Sequence, residues 1–140
     1  MTDANVLAEH RVWAATTDAA RNQVFNVVNG DVFRWSWLWK QIADWFGVEA
    51  VGFDGTMHPL EKETQNDASV WKELAEKNNL KEKDLNRLAS SWHTDLDLGR
   101  PIEVMTNMSK SRKLGVNVYQ ATNEAFFNLF NELRLERLIP

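Results

Sequence analysis

The sequence predicts an α/β chain that is mainly helical, with few short strands. Three observations carry that prediction. Val24-Phe25-Asn26-Val27-Val28 is short, rich in β-branched residues and apolar on both faces, as a strand covered on both sides would be. Trp35, Leu38, Trp39, Ile42, Trp45 and Phe46 recur at three- and four-residue steps, and Gly47 stands where a left-handed helix cap belongs. Asn29-Gly30-Asp31 joins the two with turn chemistry and a carboxylate able to cap a helix. The rest of the chain is organised around this stretch, which holds four of the seven tryptophans.

Ahead of it, Asp3 is placed to cap a helix running to about Ala15 through Val6, Leu7, His10, Val12 and Trp13. After Gly47, the alternation in residues 48–53 predicts a second short strand, ended by Asp54-Gly55. Residues 59–66 predict a short surface helix, and Val70, Trp71, Leu74 and Ala75 an amphipathic one over 68–77. Leu85, Leu88, Ala89 and Trp92 predict one further helix running on to Leu96, closed by Gly99-Arg100-Pro101. Ile102, Val104 and Met105 suit a brief strand, and Ser109 a helical turn ended by Gly115. Thr122 opens the clearest helix, with Ala125, Phe126, Leu129, Phe130 and Leu133 on one stripe. Two or three short strands make a poor sheet, so the pattern implies a sheet completed elsewhere.

With 140 residues the chain has the length of one domain with a real core. A net charge of −4 argues against nucleic acid, because phosphate binding needs concentrated Lys and Arg. Lys110-Ser111-Arg112-Lys113 is too short to reverse that and reads as a solvated helix face. The absence of cysteine excludes disulfides, thiolate metal sites and a cysteine nucleophile. No apolar run approaches the ~20 residues of a membrane span, and the first residues lack a secretion signal. The expectation is a cytoplasmic protein that binds neither membrane nor nucleic acid.

Residues 3–15 (DANVLAEHRVWAA), Phe25 to Trp35 (FNVVNGDVFRW) and Phe46-Gly47-Val48 together resemble one family. Val70-Trp71, Trp92-His93-Thr94-Asp95, Met108 to Ser111 and the closing Leu138-Ile139-Pro140 follow the same pattern in the same order. The chain resembles the progesterone 5β-reductase and iridoid synthase-like enone reductases of the extended short-chain dehydrogenase/reductase (NAD-dependent epimerase/dehydratase) superfamily. The match is to their C-terminal part. It implies a last helix-strand-helix of a dinucleotide-binding sheet over residues 1–47, and a small substrate-covering domain over 48–140. It implies NADP(H) or NAD(H) for the complete enzyme, a small apolar carbonyl substrate and reduction of an enone C=C bond.

The machinery for that reaction is not legible in these residues. The glycines at 30, 47, 52, 55, 99 and 115 assemble no dinucleotide fingerprint, and Tyr119 has Asn123, not Lys, four residues on. No cofactor site, catalytic residue or metal site is therefore expected in this chain, which would not be catalytic alone. The partner implied is an N-terminal Rossmann portion. The alternative is a stand-alone binding module that self-associates through Val24–Val28, since a bare apolar strand is a template for pairing.

Trp92, His93, Leu96, Asp97 and Arg100 fall on one face at helical spacing if their helix continues. The resemblance implies that the position matched by His93 faces substrate, and that residues a turn later line the pocket. His93 stands where the plant reductases carry Phe, which admits a polar group on the substrate. The plainer alternative makes Trp92 core and His93 a solvent-facing or capping residue. Trp35, Trp39 and Trp45 share the core stripe of their helix, whereas Trp37 lies off it.

Overall fold

The Asp3 carboxylate accepts the Asn5 backbone N–H at 2.8 Å and starts helix α1 (Ala4–Thr16). The computed structural model that shows this describes residues 1–100 and 102–140. Helix α2 (Trp35–Phe46) has the predicted bounds, and Gly47 closes it in the left-handed region at φ 69°. Helices α3 (Leu60–Glu63), α4 (Ala68–Lys77), α5 (Leu85–Leu88) and α6 (Ser91–Leu98) follow. Helices α7 (Ser109–Lys113) and α8 (Thr122–Leu135) complete the described elements.

The chain divides into two units, each built from two separate stretches. The first takes Met1–Gly52 and Val104–Phe127, and the second takes Phe53–Glu103 and Asn128–Pro140. In the first, Val6, Ala20, Leu38, Ala43, Met108 and Val116 are buried. In the second, Ala75 and Leu80 are.

The mainly helical reading holds, but the expected strands do not form. Among the described residues no strand is present. The runs 24–28, 48–53 and 102–105 have no ladder partner, and the residue that precedes the last of them, Pro101, lies outside the described residues. The physical reason is plain for Val24–Val28. Propensity can extend a backbone, but a strand exists only when a neighbour takes its N–H and C=O groups. Among the described residues, the N–H groups of these five residues have no acceptor. Side chains stand where a neighbour would. Lys110 Nζ donates to the Val24 carbonyl at 2.9 Å, the Thr2 hydroxyl to that of Val27 at 3.0 Å and Arg112 to that of Gly30 at 3.3 Å.

Three further expectations are corrected. The single helix over 85–96 is two, because Ala89 and Ser90 adopt extended backbone between α5 and α6. The core stripe of α2 is only half covered: Trp35 is 37% and Trp39 48% exposed, little different from Trp37 at 51%. Asp31 caps not α2 but α8, accepting the backbone N–H and the hydroxyl of Thr122, each at 2.7 Å. Val32, Phe33 and Arg34 separate it from α2, too far for an N-cap.

The chain exposes 10765 Å² of surface. Large apolar side chains contribute to it, among them Val24, Val32, Val51 and Phe53, each more than three-quarters exposed.

Candidate functional site

The five residues singled out by resemblance lie on and just after α6, in the second unit. Ser90 caps this helix, its Oγ accepting the His93 backbone N–H at 3.4 Å. The same Oγ stands 2.8 Å from His93 Nδ1, so one hydroxyl serves both the helix end and the imidazole. The Trp92 ring meets the imidazole edge to face, with centroids 4.6 Å apart. Trp92 and Leu96 are each 52% exposed. They form an apolar face beside the imidazole rather than a buried core.

The helix ends at Leu98, so Arg100 is not on it. Its guanidinium folds back instead, donating from Nε to the Leu96 carbonyl at 3.2 Å and from Nη2 to Asp97 Oδ1 at 3.0 Å. The two charges are thereby engaged with each other. Trp92, His93 and Leu96 thus make one group, and Asp97 with Arg100 a second.

What holds α6 in place was not legible in the spacing. The two oxygens of Asp95 accept the backbone N–H groups of Leu60 and Glu61 at 2.8 and 3.0 Å, capping α3 from another helix. The Ser91 and Thr64 hydroxyls pair at 2.7 Å. Asp95 and Asp97 point to different partners, and neither is arranged for paired acid–base chemistry.

A second cluster escaped the sequence reading because Asp54 and His58 sit in a loop, with Glu63 at the end of α3. His58 lies between Asp54, at 3.2 Å, and Glu63, at 3.6 Å, all well exposed. The hydrogen bond and charge of Asp54 raise the His58 pKa above the usual histidine range. The Thr56 backbone N–H, then His58, hold the Asp54 carboxyl below the usual carboxylate range. The i, i+4 spacing of Asp54 and His58 was the only signal. Among the described residues no group of three or more His, Asp or Glu side chains could hold a metal ion.

The first unit contains a buried polar network rather than a reactive site. Asn29 is 2% exposed. Its Oδ1 accepts the Asp3 N–H, its Nδ2 donates to Thr122 Oγ1 at 3.1 Å, its N–H donates to the Met1 carbonyl, and its carbonyl accepts the Gln120 N–H. Gly30 follows at φ 97°, where an added Cβ would lie 2.9 Å from Arg112 Nη2. Nearby, His10 is buried edge to face against Trp13 and Phe25, and its Nε2 has no hydrogen-bond partner.

The capped N-termini of α8 and α1 do not suit a pyrophosphate. The amides at the N-terminus of α8 are met by the Asp31 carboxylate and those of α1 by Asp3, both of which would repel a pyrophosphate. The Gly30 turn is filled by Arg112 and Tyr119 rather than open to a ligand. Among the described residues no helix is long and apolar enough to cross a membrane.

No family model matches the chain. Its sequence is 37% identical over 139 residues to an (S)-8-oxocitronellyl enol synthase of Antirrhinum majus, covering 99% of this chain and 36% of that protein. The enzyme of the same name from Catharanthus roseus is 36% identical over 140 residues, with the same coverage. A 3-oxo-Delta(4,5)-steroid 5-beta-reductase of Arabidopsis thaliana is 34% identical over 140 residues, again 99% of this chain and 36% of the relative. Along its whole length the chain is therefore similar to iridoid synthase and progesterone 5β-reductase-like enzymes, and it spans about a third of the curated relatives it matches.

Proposed function

We propose that this chain is the substrate-binding C-terminal portion of an NAD(P)H-dependent reductase of enone C=C bonds, and that it is not catalytic alone. The observation that supports this best is the unpaired run Val24–Val28, with five N–H groups lacking acceptors among the described residues. A segment of this composition suits a sheet edge, and relatives nearly three times longer have the length to supply one. The exposed large apolar side chains, Val24 among them, support the same reading.

In this reading a Rossmann portion brings the nicotinamide, which supplies the hydride, together with the catalytic tyrosine and lysine. The α6 face, with Trp92, His93 and Leu96, covers the substrate. Asp97 and Arg100 brace its C-terminal end. The substrate is a small, largely apolar carbonyl compound, and the setting is the cytoplasm.

The test is a titration of the isolated 140 residues with NADPH, followed by addition of a dinucleotide-binding portion from a relative. No saturable binding is expected in the first step. In the second, enone-dependent oxidation of NADPH should appear, and the amides of residues 24–28 should become slow to exchange with solvent. Tight NADPH binding by the chain alone would refute the proposal, as would the same amides being protected in a clean monomer. Protection that grows with the concentration of the chain itself would favour the self-associating module instead.

A further inference from the structure

We propose that His93 selects its ligand, presenting an Nε2–H donor to an oxygen acceptor at the edge of the apolar α6 face. This rests on the reading of α6 as the substrate-facing element.

The argument begins with Ser90. A serine hydroxyl has one hydrogen and two lone pairs. One lone pair of Ser90 Oγ is committed to the helix end, where it accepts the His93 backbone N–H. The hydroxyl hydrogen is then free to point at His93 Nδ1, 2.8 Å away. In the proposed tautomer Nδ1 accepts that hydrogen and the ring proton stays on Nε2. The same hydroxyl then meets both the helix end and the imidazole. The edge-to-face contact with Trp92 restrains the plane of the imidazole from a second side.

The neighbours decide what such a donor can do. Trp92 and Leu96, half exposed, offer apolar contact. Asp97 and Arg100 are paired with each other at 3.0 Å. Among the described residues His93 Nε2 makes no hydrogen bond, and the side chain is exposed. A ligand carrying a carbonyl or hydroxyl oxygen there gains a bond that a hydrocarbon of the same shape cannot make. An aromatic side chain at position 93 would offer contact and no such preference.

Two measurements on the chain test this. Long-range proton–nitrogen correlation on labelled histidine should show the Nε2–H form of His93, and Ser90→Ala should release it to a mixture of tautomers. Cyclohex-2-enone and cyclohexene, titrated separately and read at the Trp92 and His93 signals, should differ about five- to tenfold in affinity in favour of the ketone. His93→Gln, which keeps a donor, should retain most of that preference, and His93→Phe should abolish it. A dominant Nδ1–H form would overturn the inference. So would equal binding of the two probes, binding of neither, or a preference that survives His93→Phe. None of these readouts involves NADPH turnover, so a protein that reduces no enone would refute the proposed function without touching this result.

Discussion

The two units of the chain are stabilised in opposite ways. The first is tied by long-range polar bonds that are buried or part-buried: Asn29 and Asp31 reach Thr122 across more than ninety residues, and Asn29 also takes the amide of Asp3. The second is tied by bonds at exposed atoms, with Asp95 capping α3, and with His58 held by Asp54 and Glu63. Burial makes the difference matter. A hydrogen bond lost in the interior leaves an unsatisfied group, whereas one lost at the surface is replaced by water. The first unit should therefore be the rigid one, and the second the more adaptable.

Three substitutions sharpen the contrast. Asn29→Ala removes one of the two partners of the buried Thr122 hydroxyl and the acceptor of the Asp3 amide, and should cost about 2–4 kcal/mol in urea unfolding. A cost under about 1 kcal/mol would mean that the network does not stabilise the unit, given the penalty for an orphaned buried group. Asp95→Ala takes both acceptors from the start of α3 and should cost about 1 kcal/mol, with amide exchange quickening at Leu60 and Glu61 and unchanged at Asn29. Equal quickening in the two units would erase the distinction.

The smallest effect is a pH dependence. The His58 pKa is raised in the folded chain, so its tie to Asp54 is fully present below the usual histidine range and is lost as pH rises through the raised value. The Asp54 pKa is lowered, so its contribution is present above the usual carboxylate range and is lost as pH falls through the lowered value. The tie should hold in the window between. In Asp54→Asn the imidazole should titrate lower, read from the His58 ring protons. An unmoved midpoint would show that the pair does not form.

Much of this was legible in residues taken locally. The stripe from Trp35 to Phe46 and its glycine stop fixed α2 to the residue, and the Asp3 cap did as much for the start of α1. What failed was relational. Val24–Val28 has every property of a strand except a neighbour, and no sequence window displays a missing neighbour. The destination of the Asp31 carboxylate was misread for the same reason, because capping was sought next door and found ninety-one residues away. At the candidate site, the spacing placed Trp92, His93 and Leu96 together but could not show that Arg100 lies past the helix end. Nor could it show that Ser90, never singled out, sets the imidazole.

The interleaving of the chain has a practical corollary for anyone wishing to dissect it. Neither unit is a continuous piece, so no single cut liberates one intact. Stopping at residue 103 would delete Thr122 and Val116 and take the Thr122 partner from both Asn29 Nδ2 and the Asp31 carboxylate. Stopping at residue 127 would strip the second unit of its closing stretch, including the Arg137 carbonyl that receives the Lys81 amide. Shortened versions would be expected to report on damage to both parts at once, and point substitutions are the cleaner scalpel.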